Sequence, residues 1–100
     1  MQLHGINFDD EAIAAVCRRF GAARLSVFGS ILTGRFGPES DVDLLVEFPP
    51  TARINLLDMV GMEQELSTVL GRKVDLRTPQ DLSKYFRDEV MREARLQYAA

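Results

Sequence analysis

Two short motifs at a fixed spacing constrain this chain more than any other feature of its sequence. An apolar run ends at Gly29-Ser30, and after ten further residues a second apolar run begins with Asp41-Val42-Asp43. Strands normally exclude aspartate, and a carboxylate on a buried strand is costly unless it is paired or bound to a metal. Because side chains alternate along a strand, Asp41 and Asp43 share one face about 7 Å apart, where they repel unless a cation lies between them. Magnesium prefers such oxygen ligands and also binds phosphates, so the pattern predicts a metal site beside a phosphate-binding turn.

Length and composition predict a single domain over residues 1–100. Of the 100 residues, 46% are hydrophobic, which is enough for a modest core. The net charge is −3 and no basic run occurs, which disfavours direct binding of nucleic acid. The single cysteine, Cys17, excludes an internal disulfide and is typical of the reducing cytoplasm. No segment has the length and hydropathy of a membrane span, so we expect a cytoplasmic domain without a membrane partner.

Apolar periodicity and turn residues predict a fold of the α/β (α+β) class, with a small mixed sheet flanked by helices. The long helix is expected to bury Leu56, and the last one Tyr85 or Phe86 with Val90, while Tyr98 is expected to fray. The predicted elements are, in order, a helix over 9–20, a strand over 25–28, a helical turn over 31–34, a strand over 41–48, a long helix over 53–70, a strand over 73–76 and a helix over 84–96.

A third aspartate, Asp75, lies among apolar residues of the last predicted strand. Alone, it is typical of a strand edge, just as the Gly29-Ser30 pair alone is typical of a capped turn. Beside Asp41 and Asp43, both become candidates for one site. Asp81 is assigned to a helix cap instead, because Thr78-Pro79-Gln80-Asp81 has the pattern of a helix start.

The Gly29-Ser30 pair, the ten-residue spacer and Asp41-Val42-Asp43 resemble the signature of the nucleotidyltransferase fold related to DNA polymerase beta. Within that superfamily the chain resembles the minimal nucleotidyltransferases (MNT) of bacteria and archaea, which are often encoded as antitoxins beside a HEPN ribonuclease toxin. The resemblance extends from about Arg24 to Tyr98. It implies the nucleotidyltransferase fold and the transfer of AMP from ATP to a hydroxyl group, with a tyrosine of the HEPN toxin as acceptor.

The resemblance also implies roles for individual residues. Asp41 and Asp43 would hold two magnesium ions, and Asp75 would ligate the metal nearer the acceptor and take its proton. Ser30 and the backbone around Gly29 would hold the departing phosphates of ATP.

One departure from the family pattern leaves alternatives open. Members commonly carry arginines after the glycine-serine pair, as in GSRARG, whereas this chain has Ile31 and Thr33 in those places. A binding-only antitoxin that blocks its toxin sterically is one alternative, and the catalytic subunit of a two-chain transferase for a small hydroxylated substrate is another. In every case we expect a heteromeric complex, with Ile31, Leu32 and Phe36 exposed around the site where an acceptor enters.

Overall fold

Helices and strands account for most of the chain, and the computed structural model describes residues 1–100. None of the helices combines the length and the apolar character that crossing a bilayer requires. The strands are β1 (Gln2–Leu3), β2 (Ile6–Asn7), β3 (Arg24–Phe28), β4 (Val42–Glu47), β5 (Val74–Arg77) and β6 (Arg95–Ala99), the helices are α1 (Asp10–Phe20), α2 (Leu56–Leu70) and α3 (Arg87–Glu93), and two 3₁₀ turns cover Gly29–Leu32 and Pro79–Asp81.

Four of the strands form one mixed sheet in the order β5-β4-β3-β6. β4 pairs with β5 in parallel, whereas β3 pairs antiparallel with both β4 and β6. The parallel step from β4 to β5 is made through α2, as expected for two parallel neighbours that need a long crossover. The predicted class, a small mixed sheet flanked by helices, is confirmed.

The hydrophobic core lies on one face of this sheet. Leu25 and Val27 of β3 share it with Val42, Leu44 and Val46 of β4, and α1 and α2 cover it. The side chain of Leu45 is also buried, but it points to the opposite face and is not part of that core cluster. Strand alternation therefore turns the other residues of β4, Asp43 among them, to the face that α1 and α2 leave open.

Local capping explains where the two longer helices begin and end. Asp9 caps α1 by accepting a hydrogen bond from the backbone N–H of Ala12, and Gly21 ends the helix in the left-handed conformation. α2 begins at Leu56 rather than at residue 53 as predicted, because Asn55 and Asp58 form a reciprocal capping box there. The prediction that Leu56 is buried is wrong, since 79% of it is exposed.

The C-terminal segment differs most from the sequence-based expectation. The predicted helix over 84–96 is shortened to α3, and the predicted frayed end is the strand β6, in which Tyr98 pairs with Leu25 of β3. Without β6, β3 would be an edge strand with unpaired backbone groups. The inward placement of Tyr85 and Phe86 is also wrong, because they are 81% and 61% exposed.

Candidate active site

Gly29 and Asp43 lie in direct contact where β3 ends. Gly29 has a φ of +82°, and a Cβ atom at this position would fall 2.2 Å from Asp43 Oδ2. Its neighbour Phe28 pairs with Asp43 across β3 and β4. Only glycine therefore fits here, both for its backbone conformation and for the space that the carboxylate occupies. The two sequence motifs meet at one point of the fold.

The three predicted carboxylates all lie at one end of the sheet. Asp43 of β4 is paired in register with Asp75 of β5, two neighbouring strands that are about 4.8 Å apart. Asp41 directly precedes β4, which begins at Val42 rather than at Asp41 as predicted. The sheet topology thus places Asp75 beside Asp43, which sequence spacing alone could not do.

Two basic side chains compensate part of this negative charge. The Arg77 guanidinium donates hydrogen bonds to both carboxylate oxygens of Asp75 at 3.2 to 3.3 Å. Lys73 Nζ lies 3.9 Å from Asp41 Oδ2. Asp43 is the member of the cluster that has no such ion pair.

Burial and neighbouring negative charge both raise the pKa of Asp43. Desolvation, followed by the charge of Asp75, raises the pKa of Asp43 from 3.8 to about 6. Arg77 opposes this shift, and Asp41 adds to it. Without a bound cation, the site holds a carboxylate whose ionised form is destabilised, a condition typical of functional sites.

The donor chemistry of the cluster fits a hard divalent cation, although the side chains are not gathered around one. No three His, Cys, Asp or Glu side chains lie together within ligating distance in the structure. Asp43 and Asp41 offer oxygen ligands at the rim of the sheet, the type that magnesium prefers. Asp75 can join them only by leaving Arg77, whose side chain is 47% exposed and has room to move.

The turn at Gly29 differs from the turn that the sequence predicted. It is a 3₁₀ turn over Gly29–Leu32 instead of a helical turn over 31–34. Ile31 is 1% exposed, and Leu32 and Phe36 are partly buried against the core. The prediction that these three residues are exposed for a partner is therefore wrong.

A cleft of about 810 Å³ adjoins the Gly29 turn. It lies between that turn and α3, and Phe86, directly before α3, contributes to its wall. The cleft was not predicted from the sequence, because the spacing of Phe86 is also that of a core residue. The signal that was available is the spacing of Phe86, Glu89, Val90 and Glu93, which places them on one side of a helix.

Known sequences place the chain in a family. The model of the nucleotidyltransferase domain family matches residues 10–97. The protein adenylyltransferase MntA of Thermococcus cleftensis is 37% identical over 75 residues, which are 75% of this chain and 74% of that protein. A Methanocaldococcus jannaschii protein, provisionally named a protein adenylyltransferase, is 35% identical over 89 residues, which are 89% of this chain and 94% of that protein.

Solved structures have the same fold. A structure provisionally described as a minimal nucleotidyltransferase is 39% identical with a TM-score of 0.70 over 85% of both chains. A toxin-antitoxin complex with AMP-PNP gives a TM-score of 0.72 at 19% identity, covering 93% of this chain and 75% of that one. A complex of a tri-AMPylated Shewanella oneidensis HEPN toxin with an MNT antitoxin gives 0.62 at 17% identity, covering 91% and 70%. Sequence and fold agree: the chain belongs to the nucleotidyltransferase domain family, among its minimal members.

Proposed function

We propose that this chain is a magnesium-dependent protein adenylyltransferase that acts as an antitoxin, transferring AMP from ATP to a tyrosine of a HEPN-family toxin. In this proposal residues 1–100 act as one nucleotidyltransferase domain. The observation that carries it is the contact of Gly29 with Asp43, with Asp75 in register on the next strand. This contact supports a phosphate site at the Gly29 turn, directly beside the carboxylates. The relatives named as adenylyltransferases support the choice of AMP.

The proposed reaction is an in-line displacement at the α-phosphorus of ATP. The acceptor oxygen forms a bond to that phosphorus, the bond to the bridging oxygen breaks, and pyrophosphate leaves. The acceptor proton goes to a carboxylate, for which Asp75 is the candidate. Ser30 and the Gly29 turn hold the β- and γ-phosphates.

Asp41, Asp43 and Asp75 would hold the two magnesium ions. Bound there, the ions would supply charge stabilisation to the attacking and leaving oxygens. Asp43 contributes most, because its carboxylate is half-buried and has no basic partner of its own. Its raised pKa means that a cation also offsets the cost of ionising it.

A partner protein is proposed on two grounds. In one structure of the same fold, an MNT antitoxin is in complex with a tri-AMPylated Shewanella oneidensis HEPN toxin. This chain also exposes apolar side chains, among which Leu56 and Leu57 are 79% and 80% exposed. They lie at the start of α2, and they replace Ile31, Leu32 and Phe36 as candidates for the protein interface.

Replacing Asp75 separates binding from transfer. We expect Asp75→Ala to keep most of the affinity for ATP and magnesium, because Asp41 and Asp43 remain, but to lower the rate of transfer by about 100-fold or more. Isothermal titration with a non-hydrolysable ATP analogue and a transfer assay measure the two effects. Arg77→Met is the matched control, because it removes the same ion pair and keeps the carboxylate. Transfer at the wild-type rate in Asp75→Ala would reduce Asp75 to a strand-end residue.

A binding-only antitoxin is the second candidate, and two observations favour it. Asp75 and Asp41 already have Arg77 and Lys73 as partners, and the turn carries Ile31 in place of a family arginine. Co-expression of Asp43→Asn with a HEPN-family toxin, the proposed partner, distinguishes the two functions. Growth arrest supports the enzyme, whereas full neutralisation by Asp43→Asn supports the steric antitoxin.

A further inference from the structure

We propose that the cleft between the Gly29 turn and α3 receives the base and ribose of the nucleotide, with Phe86 stacked against the base. This inference rests on the proposed function, since it assigns the nucleoside half of the substrate whose phosphates lie at Gly29. The volume of the cleft, about 810 Å³, is in the range of small-molecule sites. Gly29 is part of its wall and also contacts Asp43, so the cleft opens directly beside the acidic cluster.

One side of α3 faces this cleft rather than the core. Phe86, Glu89, Val90 and Glu93 all line it, at the spacing of a single helical stripe. Phe86 is 61% exposed although it is a large apolar residue. Phe28, which pairs with Asp43 in the sheet, also lines the cleft. An aromatic ring at the rim of a cleft is a suitable surface for a flat base, since every base has a stacking face.

The charges in the cleft orient the nucleotide. The one basic residue of its lining, Arg95, pairs in register with Val27 of β3, two residues before Gly29. Glu89 and Glu93 are the acidic residues of the lining, and both lie on α3. They repel phosphates, so the triphosphate is expected at the Gly29 end of the cleft and the nucleoside at the α3 end. Carboxylates also accept hydrogen bonds from ribose hydroxyls. The arrangement therefore favours a nucleoside, and not a free polyphosphate, against α3.

The chain contains no tryptophan, which permits a direct test of binding without catalysis. Phe86→Trp places a single fluorophore in the cleft, and we expect ATP and adenosine to quench its emission while inorganic tripolyphosphate leaves it unchanged. Tyr85→Trp is the matched control, because Tyr85 precedes Phe86, is 81% exposed and does not line the cleft. Equal quenching in both variants, or quenching of Phe86→Trp by tripolyphosphate alone, would overturn the assignment.

Kinetics provide the second measurement. We expect Phe86→Ala to raise the KM for ATP by about 5- to 150-fold, the loss found when a stacked aromatic is removed, with little change in kcat. Phe86→Tyr should restore the KM, and Tyr85→Ala should leave it unchanged. A higher KM for the acceptor protein with an unchanged KM for ATP would overturn the proposal and assign Phe86 to the protein interface.

Failure of this inference is distinguishable from failure of the proposed function. Wild-type transfer with an unchanged KM for ATP in Phe86→Ala contradicts the cleft assignment alone. Quenching by adenosine without any transfer supports the cleft and contradicts the enzymatic proposal. Absence of ATP binding in the wild-type protein contradicts both.

Discussion

Asp43→Asn is expected to abolish nucleotide transfer while making the metal-free protein more stable at neutral pH. Transfer should fall by well over 100-fold, since even residues that only support metal ligands account for 10- to 100-fold. Binding of magnesium and ATP to the native state raises its melting temperature by mass action, and this increase should be lost as well. Glu47→Gln is the matched control, because Glu47 lies on the same face of β4 but pairs with Arg24 at 3.6 Å.

The stability gain of Asp43→Asn should depend on pH in a defined direction. The pKa of Asp43 is raised to about 6 in the folded protein from 3.8, so ionisation favours the unfolded chain. The wild-type protein therefore loses stability relative to the variant as pH rises from about 4 to about 6. For a fully buried carboxylate, this pKa shift corresponds to a difference of about 3 kcal/mol in the free energy of unfolding. Solvent screening of the half-exposed Asp43 carboxylate reduces that difference to about 1–2 kcal/mol.

Thermal unfolding without metal at several pH values measures this difference. We expect the variant to melt about 4–16 °C higher than the wild type above pH 7. The two melting temperatures should converge towards pH 4, where the folded protein holds Asp43 protonated. A variant that is no more stable at pH 7 than the wild type would contradict the conclusion that burial and neighbouring carboxylates destabilise ionised Asp43.

Gly29→Ala is the second substitution for which we expect a large effect. Its Cβ would lie 2.2 Å from Asp43 Oδ2 and 3.0 Å from Asp43 Cγ, so the carboxylate must move. Left-handed strain of about 1–2 kcal/mol and overpacking of about 1–3 kcal/mol together predict a loss of roughly 2–5 kcal/mol in the free energy of unfolding. A displaced carboxylate should also reduce transfer by about 100-fold.

A control and a double mutant separate the two causes. Gly71 has a φ of +68°, and nothing lies within 4 Å of the position that a Cβ atom would take there, so Gly71→Ala reports strain alone. Asp43→Ala removes the clashing carboxylate, and the double mutant Gly29→Ala/Asp43→Ala should therefore recover the overpacking part of the loss. Additive effects of the two substitutions would show that the contact between Gly29 and Asp43 is not tight.

Local signals predicted the half of the fold that holds the acidic cluster. Gly29 ends β3, and the aspartates mark the start of β4. Both were predictable, because aspartate is rare in apolar strands and its presence there indicates a special site. The caps at Asp9 and Thr78 were also predictable, since capping depends on residues three positions apart. The register that pairs Asp43 with Asp75 was not, because it is set by the sheet.

The C-terminal region could not be predicted from local patterns. Apolar and charged residues over 84–96 recur at a spacing that suits one long helix, and β6 forms because β3 offers an open edge. The same error hid the cleft. Phe86 and Val90 have the spacing of a buried stripe, and only the tertiary structure shows that this stripe faces an open cleft beside Gly29.

The central proposal is that AMP, and not the terminal phosphate, passes from ATP to a partner protein at the Asp43 site. The most direct measurement incubates this chain with magnesium and a HEPN-family toxin, the proposed partner, using ATP labelled at the α- or at the γ-phosphate in parallel. We predict that the partner acquires the α-label alone, with release of pyrophosphate, and that Asp43→Asn transfers neither label. Transfer of the γ-label, or labelling that persists in Asp43→Asn, would contradict the proposal.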